Sequence, residues 1–136
     1  MAKMVLKTAL LTLNAVDMSP WCKKAEYTAE VEEKDVSTFA SLGWTEVLGG
    51  MGKVGLSVAF INDLANGQLD SILWPLLGLV VPFTLKASSA AVSTSNPLYG
   101  SSVLIKSLTP IAGGPGDVNE SSYSWPGSGA PTRVTV

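Results

Sequence analysis

A glycine-rich apolar connector, residues Asp35–Val58, constrains the fold of this chain more than any other feature. Polar and apolar side chains alternate in residues 23–33 before it and again in residues 54–60, which is typical of strands with one packed face. Within residues 35–52, four glycines could adopt positive φ angles in a loop: Gly43, Gly49, Gly50 and Gly52. The sequence therefore predicts an acidic strand and an apolar strand joined by a long loop.

The same connector carries more apolar surface than a solvated loop tolerates. The side chains concerned are Phe39, Leu42, Trp44, Val47, Leu48 and Met51. Since large exposed apolar patches are rare on monomers, something must cover them. The protein's own core could do so, but we expect a neighbouring subunit and interpret these six residues as an interface between subunits.

Period-two alternation and turn-rich joints predict further strands along the chain. They cover residues 4–14, 79–87, 101–108, 119–125 and 132–136. Segments rich in Ser, Asn, Pro and Gly connect them, as expected of turns. With one helix among many short strands, the chain is predicted to be all-β, a β-sandwich or partly open barrel with one short α-helix, in a single domain over residues 1–136.

The predicted helix lies between residues 62 and 78, where apolar side chains follow a helical spacing. Asp63 or Asn66 could cap its start, and Gly78 could end it. Pro75 removes a backbone donor and clashes with the preceding turn, so we expect the helix to bend or to stop near Trp74.

Composition argues against nucleic-acid and membrane binding. Nine basic and eleven acidic residues give a net charge of −2, which provides no basic footprint for tight nucleic-acid binding. The most apolar window, Ile72–Leu85, is too short to span a bilayer and contains two prolines. Charged residues make up only 15% of the chain, which suits a protein packed against copies of itself. Cys22 is the single cysteine, so no internal disulfide can form and cytosolic folding is expected.

Catalytic and metal-binding signatures are missing from the sequence. The chain has no histidine, which removes the commonest general base and metal ligand. The GGMGK run at residues 49–53 lacks the spacing and the Ser or Thr of a phosphate-binding loop. Cys22 could be a reactive thiol, but a small buried hydrophobe is favoured because no partner base exists. We therefore predict no enzyme activity, no cofactor and no metal.

The connector and several later segments carry a resemblance to a known family. The run DVSTF followed by SLGWTEVLGGM at residues 41–51 resembles the tail tube (major tail) proteins of long-tailed bacteriophages. The helix with Asp70, Leu73 and Trp74, the SSAAVSTSNPLYG segment and the Gly116-Asp117 turn are similar to short tail proteins of actinobacterial phages. The GGPG turn at residues 113–116 departs from that pattern.

The resemblance implies a protomer that self-assembles into rings, usually hexameric, stacked into a hollow tail tube through which DNA passes non-specifically. It implies a virion location after assembly in the bacterial host cytoplasm, and other tail proteins as partners: the tail terminator, the tape measure and the distal tail protein. Residues 35–52 would then reach the next ring. Polar strand faces would line the bore, and three carboxylates are candidates for that lining: Glu26, Glu30 and Glu32. An equally simple interpretation is that these glutamates face solvent outside.

Two other functions remain open at this point. A capsid decoration or minor capsid protein of a similar phage would share the small β-rich fold and the low charge. A ligand-binding β-sandwich could stack its tryptophans on a sugar. Those tryptophans are Trp21, Trp44, Trp74 and Trp125.

Overall fold

A computed structural model describes residues 3–136; the first two residues of the predicted domain lie outside this range. The strands are β1 (Leu10–Leu13), β2 (Val16–Asp17), β3 (Cys22–Asp35), β4 (Val47–Ile61), β5 (Val80–Lys86), β6 (Leu98–Leu104), β7 (Glu120–Pro126) and β8 (Thr132–Val134). One short α-helix, α1, spans Leu69–Leu73, and two 3₁₀ turns span Phe39–Ser41 and Trp74–Leu76. The predicted all-β fold with one short helix is confirmed.

The strands form two antiparallel sheets, one of five strands in the order β2-β1-β5-β6-β8 and one of three in the order β3-β4-β7. The core lies between them because each sheet turns one alternating set of side chains inward. On β4 the inward set is Val54, Leu56, Val58 and Phe60. The fold is therefore a β-sandwich whose two sheets differ in width.

The aromatic centre of the core comes from β7 and its neighbour β4. Trp125 and Tyr123 stack with ring centroids 5.0 Å apart and an interplanar angle of 10°. Phe60 lies beside them, and the Trp125 indole N–H donates a hydrogen bond to the carbonyl of Ser107 at 3.2 Å. This pairing satisfies the one polar atom of a fully buried side chain.

The helical segment closes one end of the core. α1 ends at Leu73 and continues as a 3₁₀ turn with Pro75 in its first positions, so the predicted stop near Trp74 is confirmed. The predicted caps were wrong, since Gln68 occupies the capping position without a side-chain hydrogen bond. Asp63 instead accepts a hydrogen bond from the Trp21 indole at 3.4 Å.

Strand boundaries differ from the sequence prediction where the pairing partner ends. The first strand was predicted from residue 4, but β1 begins at Leu10, which pairs with Lys86 at the end of β5. The strand predicted at residues 101–108 instead spans Leu98–Leu104, where β5 and β8 offer partners. A strand extends only as far as the adjacent strand offers backbone hydrogen-bond partners. The alternation of side chains does not indicate where those partners end.

The predicted long loop over residues 35–52 was wrong, because most of its second half is strand. β3 and β4 pair from Cys22 to Asp35 and from Val47 to Phe60, so they form one long hairpin. Gly43 is the only predicted glycine with a positive φ angle, at 86°. Gly49 and Gly50 instead give room to β3, since a Cβ atom would lie 3.1 Å from the Val31 side chain and 3.0 Å from that of Glu32, respectively.

Candidate assembly interface

The β3–β4 hairpin projects beyond the sandwich. β4 pairs with β7 only over Gly55–Ile61, so the remaining parts of β3 and β4 continue as a two-stranded ribbon. We name residues 30–53 the arm. Six strand residues at ~3.3 Å each give the ribbon a reach of about 20 Å before the turn at residues 36–46. Because an isolated two-stranded hairpin is marginally stable in water, contact with a partner surface would stabilise the arm.

The arm carries its large apolar side chains in solvent. All six residues predicted for the interface are exposed, and Trp44 retains 78% of its accessible surface. The interpretation that the protein's own core covers them is therefore contradicted. Two further exposed side chains of the arm, Val31 and Val36, were missed by the sequence analysis. Val31 could have been found, because it continues the apolar set of Ala29 and Tyr27 along β3.

Hydrogen bonds among polar groups fix the shape of the turn. The Asp35 carboxylate accepts the Ser37 N–H at 2.8 Å, and the Ser37 hydroxyl accepts the Glu46 N–H at 2.7 Å. Thr38 and Ser41 bond reciprocally, with the Ser41 N–H donating to the Thr38 carbonyl and the Thr38 N–H donating to the Ser41 hydroxyl. The turn is thus ordered without using its apolar side chains, which stay available for contact.

We expect the order of this turn to depend on pH through Asp35. The Ser37 N–H and hydroxyl hold the pKa of the Asp35 carboxyl below its ordinary value of 3.8. A lowered folded pKa means that the stabilisation is complete above pH 3.8 and is lost as pH falls through the folded pKa. The Ser37 amide proton should therefore exchange faster below pH 3.8 after correction for intrinsic rates. An Asp35→Asn variant should not show this acid transition, and its persistence there would contradict the assignment.

Glu26 lies on the outward face of the three-stranded sheet, and Glu30 and Glu32 continue the same side of β3 at the base of the arm. Glu26, Glu30 and Glu32 alternate with the inward residues of β3 and are exposed. Two of them form ion pairs, Glu30 with Lys53 at 3.2 Å and Glu32 with Lys34 at 3.6 Å. The net negative charge of this face is therefore smaller than three unpaired carboxylates would give. Their position in a bore stays a prediction.

The tryptophans do not converge on a ligand site. Trp125 is buried in the core, Trp21 is partly buried beside Asp63, and Trp44 and Trp74 are exposed on the arm and after α1. None of the four lines the groove of about 940 Å³ that opens between the sheets. The four tryptophans therefore do not form a common surface on which a sugar could stack.

Cys22 packs partly against the core at the start of β3. Burial raises the pKa of its thiol, and the Sγ atom lies 3.3 Å from the carbonyl of Lys24, to which the thiol donates. A raised pKa leaves less thiolate at neutral pH, which agrees with a small packed side chain.

Within residues 3–136, no group of three or more acidic, cysteine or histidine side chains is placed to hold a metal ion. Over the same described part of the chain, no helix has the length and apolarity needed to cross a membrane.

The fold and the arm define a small β-sandwich with one projecting apolar hairpin. Its fold matches a chain in the virion of a native gene transfer agent (GTA) particle, with a TM-score of 0.76 and 18% sequence identity over 97% of this chain and 99% of that chain. It also matches a chain in the tail of an empty GTA particle with C6 symmetry, with a TM-score of 0.63 and 19% identity over 84% and 82%, respectively. A scan against protein-family models and a search of curated proteins found no match. At these identities, the likeness establishes the fold.

Proposed function

We propose that this protein is a structural virion component, without catalytic activity, that self-assembles into stacked hexameric rings forming the tail tube of a phage-like particle. The arm carries this proposal, because it presents several large apolar side chains that the protein's own core leaves uncovered. The fold likeness to a chain in a C6-symmetric GTA tail supports the same assembly. DNA would pass through the tube without sequence-specific contacts.

Open strand edges support ring formation. β3 and β7 are the outer strands of the three-stranded sheet, and within residues 3–136 each has one side without a strand partner. β3 is 14 residues long, and an exposed edge of that length invites pairing with another chain. If neighbouring protomers continue one another's sheets around a ring, these backbone groups are satisfied and the edges disappear.

The two ends of the hairpin then have different roles. The base of β3 belongs to the ring, and the arm reaches the adjacent ring with Phe39, Leu42, Trp44 and Leu48 as its anchors. The outward side of β3, with Glu26 on the sheet and Glu30 and Glu32 at the base of the arm, lines the bore, where carboxylates repel DNA phosphates. Lys53 and Lys34 moderate this repulsion, so the lining is weakly acidic with mixed charges. The tail terminator, tape measure and distal tail proteins are the expected partners at the ends and inside the tube.

Electron microscopy of the purified protein alone tests this function. We expect negatively stained tubes or rings at high protein concentration, with sixfold symmetry in end-on class averages. A soluble oligomer that binds only to preassembled shells would instead indicate a capsid decoration or minor capsid protein. A monomer at every concentration, with the arm exposed, would refute self-assembly.

A further inference from the structure

The unequal widths of the two sheets leave a groove on one side of the sandwich. A three-stranded sheet cannot cover the inner face of a five-stranded one, and a groove of about 940 Å³ opens between β3 and the strands β1 and β5. Residues 6–9 border it on one side. Ala25, Tyr27 and Leu85 line this groove and also pack against the core, so its floor is apolar.

Lysines lie at the rim of this apolar floor, where Lys24 continues the outward side of β3 that carries Glu26. Four lysines and no carboxylate line the groove, although the whole chain has a net charge of −2. The four are Lys7, Lys23, Lys24 and Lys86. Among the ion pairs of residues 3–136, only Lys23 of these four takes part, with Glu120 at 3.0 Å. The groove therefore combines an apolar surface with cationic charge that the protomer leaves largely uncompensated.

We propose that this groove receives the arm of a second copy of the chain. The arm beyond Glu30 and Glu32 has the complementary chemistry, since three carboxylates against one lysine give residues 33–52 a net charge of −2. Its turn adds exposed Phe39, Leu42 and Trp44 to match the apolar floor. A groove of this volume lies within the range of about 300–1,000 Å³ that holds drug-sized ligands, so it can take several side chains.

The arm cannot occupy the groove of its own chain. β3 lines the groove from Cys22 to Ala29, and the arm continues from Glu30 along the same strand, away from the groove. Pairing with β4, which is irregular between Val31 and Glu33 but resumes up to Asp35, holds this direction, so the two strands of the arm would have to separate before the arm could fold back. The occupant is thus a second protomer. This inference rests on the proposed self-assembly and specifies which surface receives the arm.

Cys22 lies in the groove and supplies a native crosslinking site. We expect a Leu42→Cys variant, assembled and treated with a short bismaleimide at pH 8, to give a ladder of covalent oligomers on a denaturing gel. A Thr45→Cys variant provides a second position in the same turn. The ladder should vanish when Cys22→Ser is added, and Ile111→Cys, an exposed position on another loop, should give none. Assembled arm variants without a Cys22-dependent ladder would overturn the groove assignment.

Charge reversal tests the same contact without crosslinking. Lys7 and Lys24 make no side-chain hydrogen bond or ion pair within the described chain, and neither do the side chains of Glu33 and Glu46. We expect Lys7→Glu with Lys24→Glu to raise the concentration needed for assembly about tenfold or more, and Glu33→Lys with Glu46→Lys to do the same, because like charges then meet.

Combining all four substitutions should restore assembly towards the wild-type concentration, whereas Lys106→Glu, outside the groove, should change little. Circular dichroism should show a folded protein in each case. Normal assembly of both double variants, or no recovery in the fourfold variant, would overturn the groove proposal while leaving the proposed function standing. Failure of the wild-type protein to assemble at all would refute the proposed function itself.

Saturable binding of a fluorescent fatty acid that persists in assembled tubes would assign the groove to a small apolar anion and overturn the arm as its occupant.

Discussion

Trp44→Ala is expected to leave a folded, soluble protomer and to abolish tube formation or raise its threshold concentration by about 30-fold. The side chain lies on the arm in solvent, so its removal creates no cavity in the core. A buried aromatic anchor at an interface contributes about 2 kcal/mol or more, which corresponds to about 30-fold in an equilibrium constant. Sedimentation across a concentration series, with electron microscopy of the pellet, measures the threshold.

Trp74→Ala is the matched control for this variant. Trp74 is also an exposed tryptophan, but it follows α1 and lies outside the arm. We expect Trp74→Ala to assemble near the wild-type threshold, and both variants to keep the wild-type thermal midpoint of unfolding to within a few degrees. If Trp44→Ala forms tubes normally, Trp44 is not an anchor. If it unfolds, the arm contributes to the protomer and the separation between sandwich and arm is wrong.

Sequence reasoning succeeded where the signal is local. The alternation of Val54 to Phe60 predicted the inward face of β4, and Pro75 predicted the end of α1. These features depend on one residue's conformational limits or on a period of two, and both can be recognised in a short window. The exposure of the interface candidates agrees with the preferred interpretation of the sequence, in which a neighbouring subunit and not the protein's own core covers them.

The errors arose where pairing with a distant segment decides the outcome. Gly49 and Gly50 suggested a flexible loop, but β3 supplies backbone partners along this stretch, and the glycines accommodate Val31 and Glu32. A register of this kind depends on the facing strand and not on the glycines themselves.

The groove was missed for a related reason. Lys7, Lys24 and Lys86 are far apart in the sequence and meet only because the two sheets differ in strand number. Neither the number of strands in each sheet nor the side left uncovered has a local signature. The net charge of the whole chain, −2, also gives no indication of a groove lined by lysines.

Unlike Trp44→Ala, Trp125→Ala is expected to destabilise the protomer itself. We expect it to lower the free energy of unfolding by about 3–5 kcal/mol. Trp125 retains 1% of its accessible surface, stacks on Tyr123 and contacts Phe60, so its removal leaves a large cavity in the sandwich. The carbonyl of Ser107 also loses its hydrogen bond. A domain of this size has about 5–15 kcal/mol of stability in total, and a large share of it would disappear.

This measurement should be made in the Trp44→Ala background, because assembly of the native state would otherwise add to the apparent stability. Urea unfolding followed by circular dichroism then compares Trp125→Ala with Trp125→Phe in a protomer that does not polymerise. Trp125→Phe keeps an aromatic ring against Tyr123 but lacks the indole N–H, so its loss should be smaller than that of Trp125→Ala. A loss below about 1 kcal/mol for Trp125→Ala would mean that the site collapses around the missing ring, and that the sandwich does not depend on this aromatic stack.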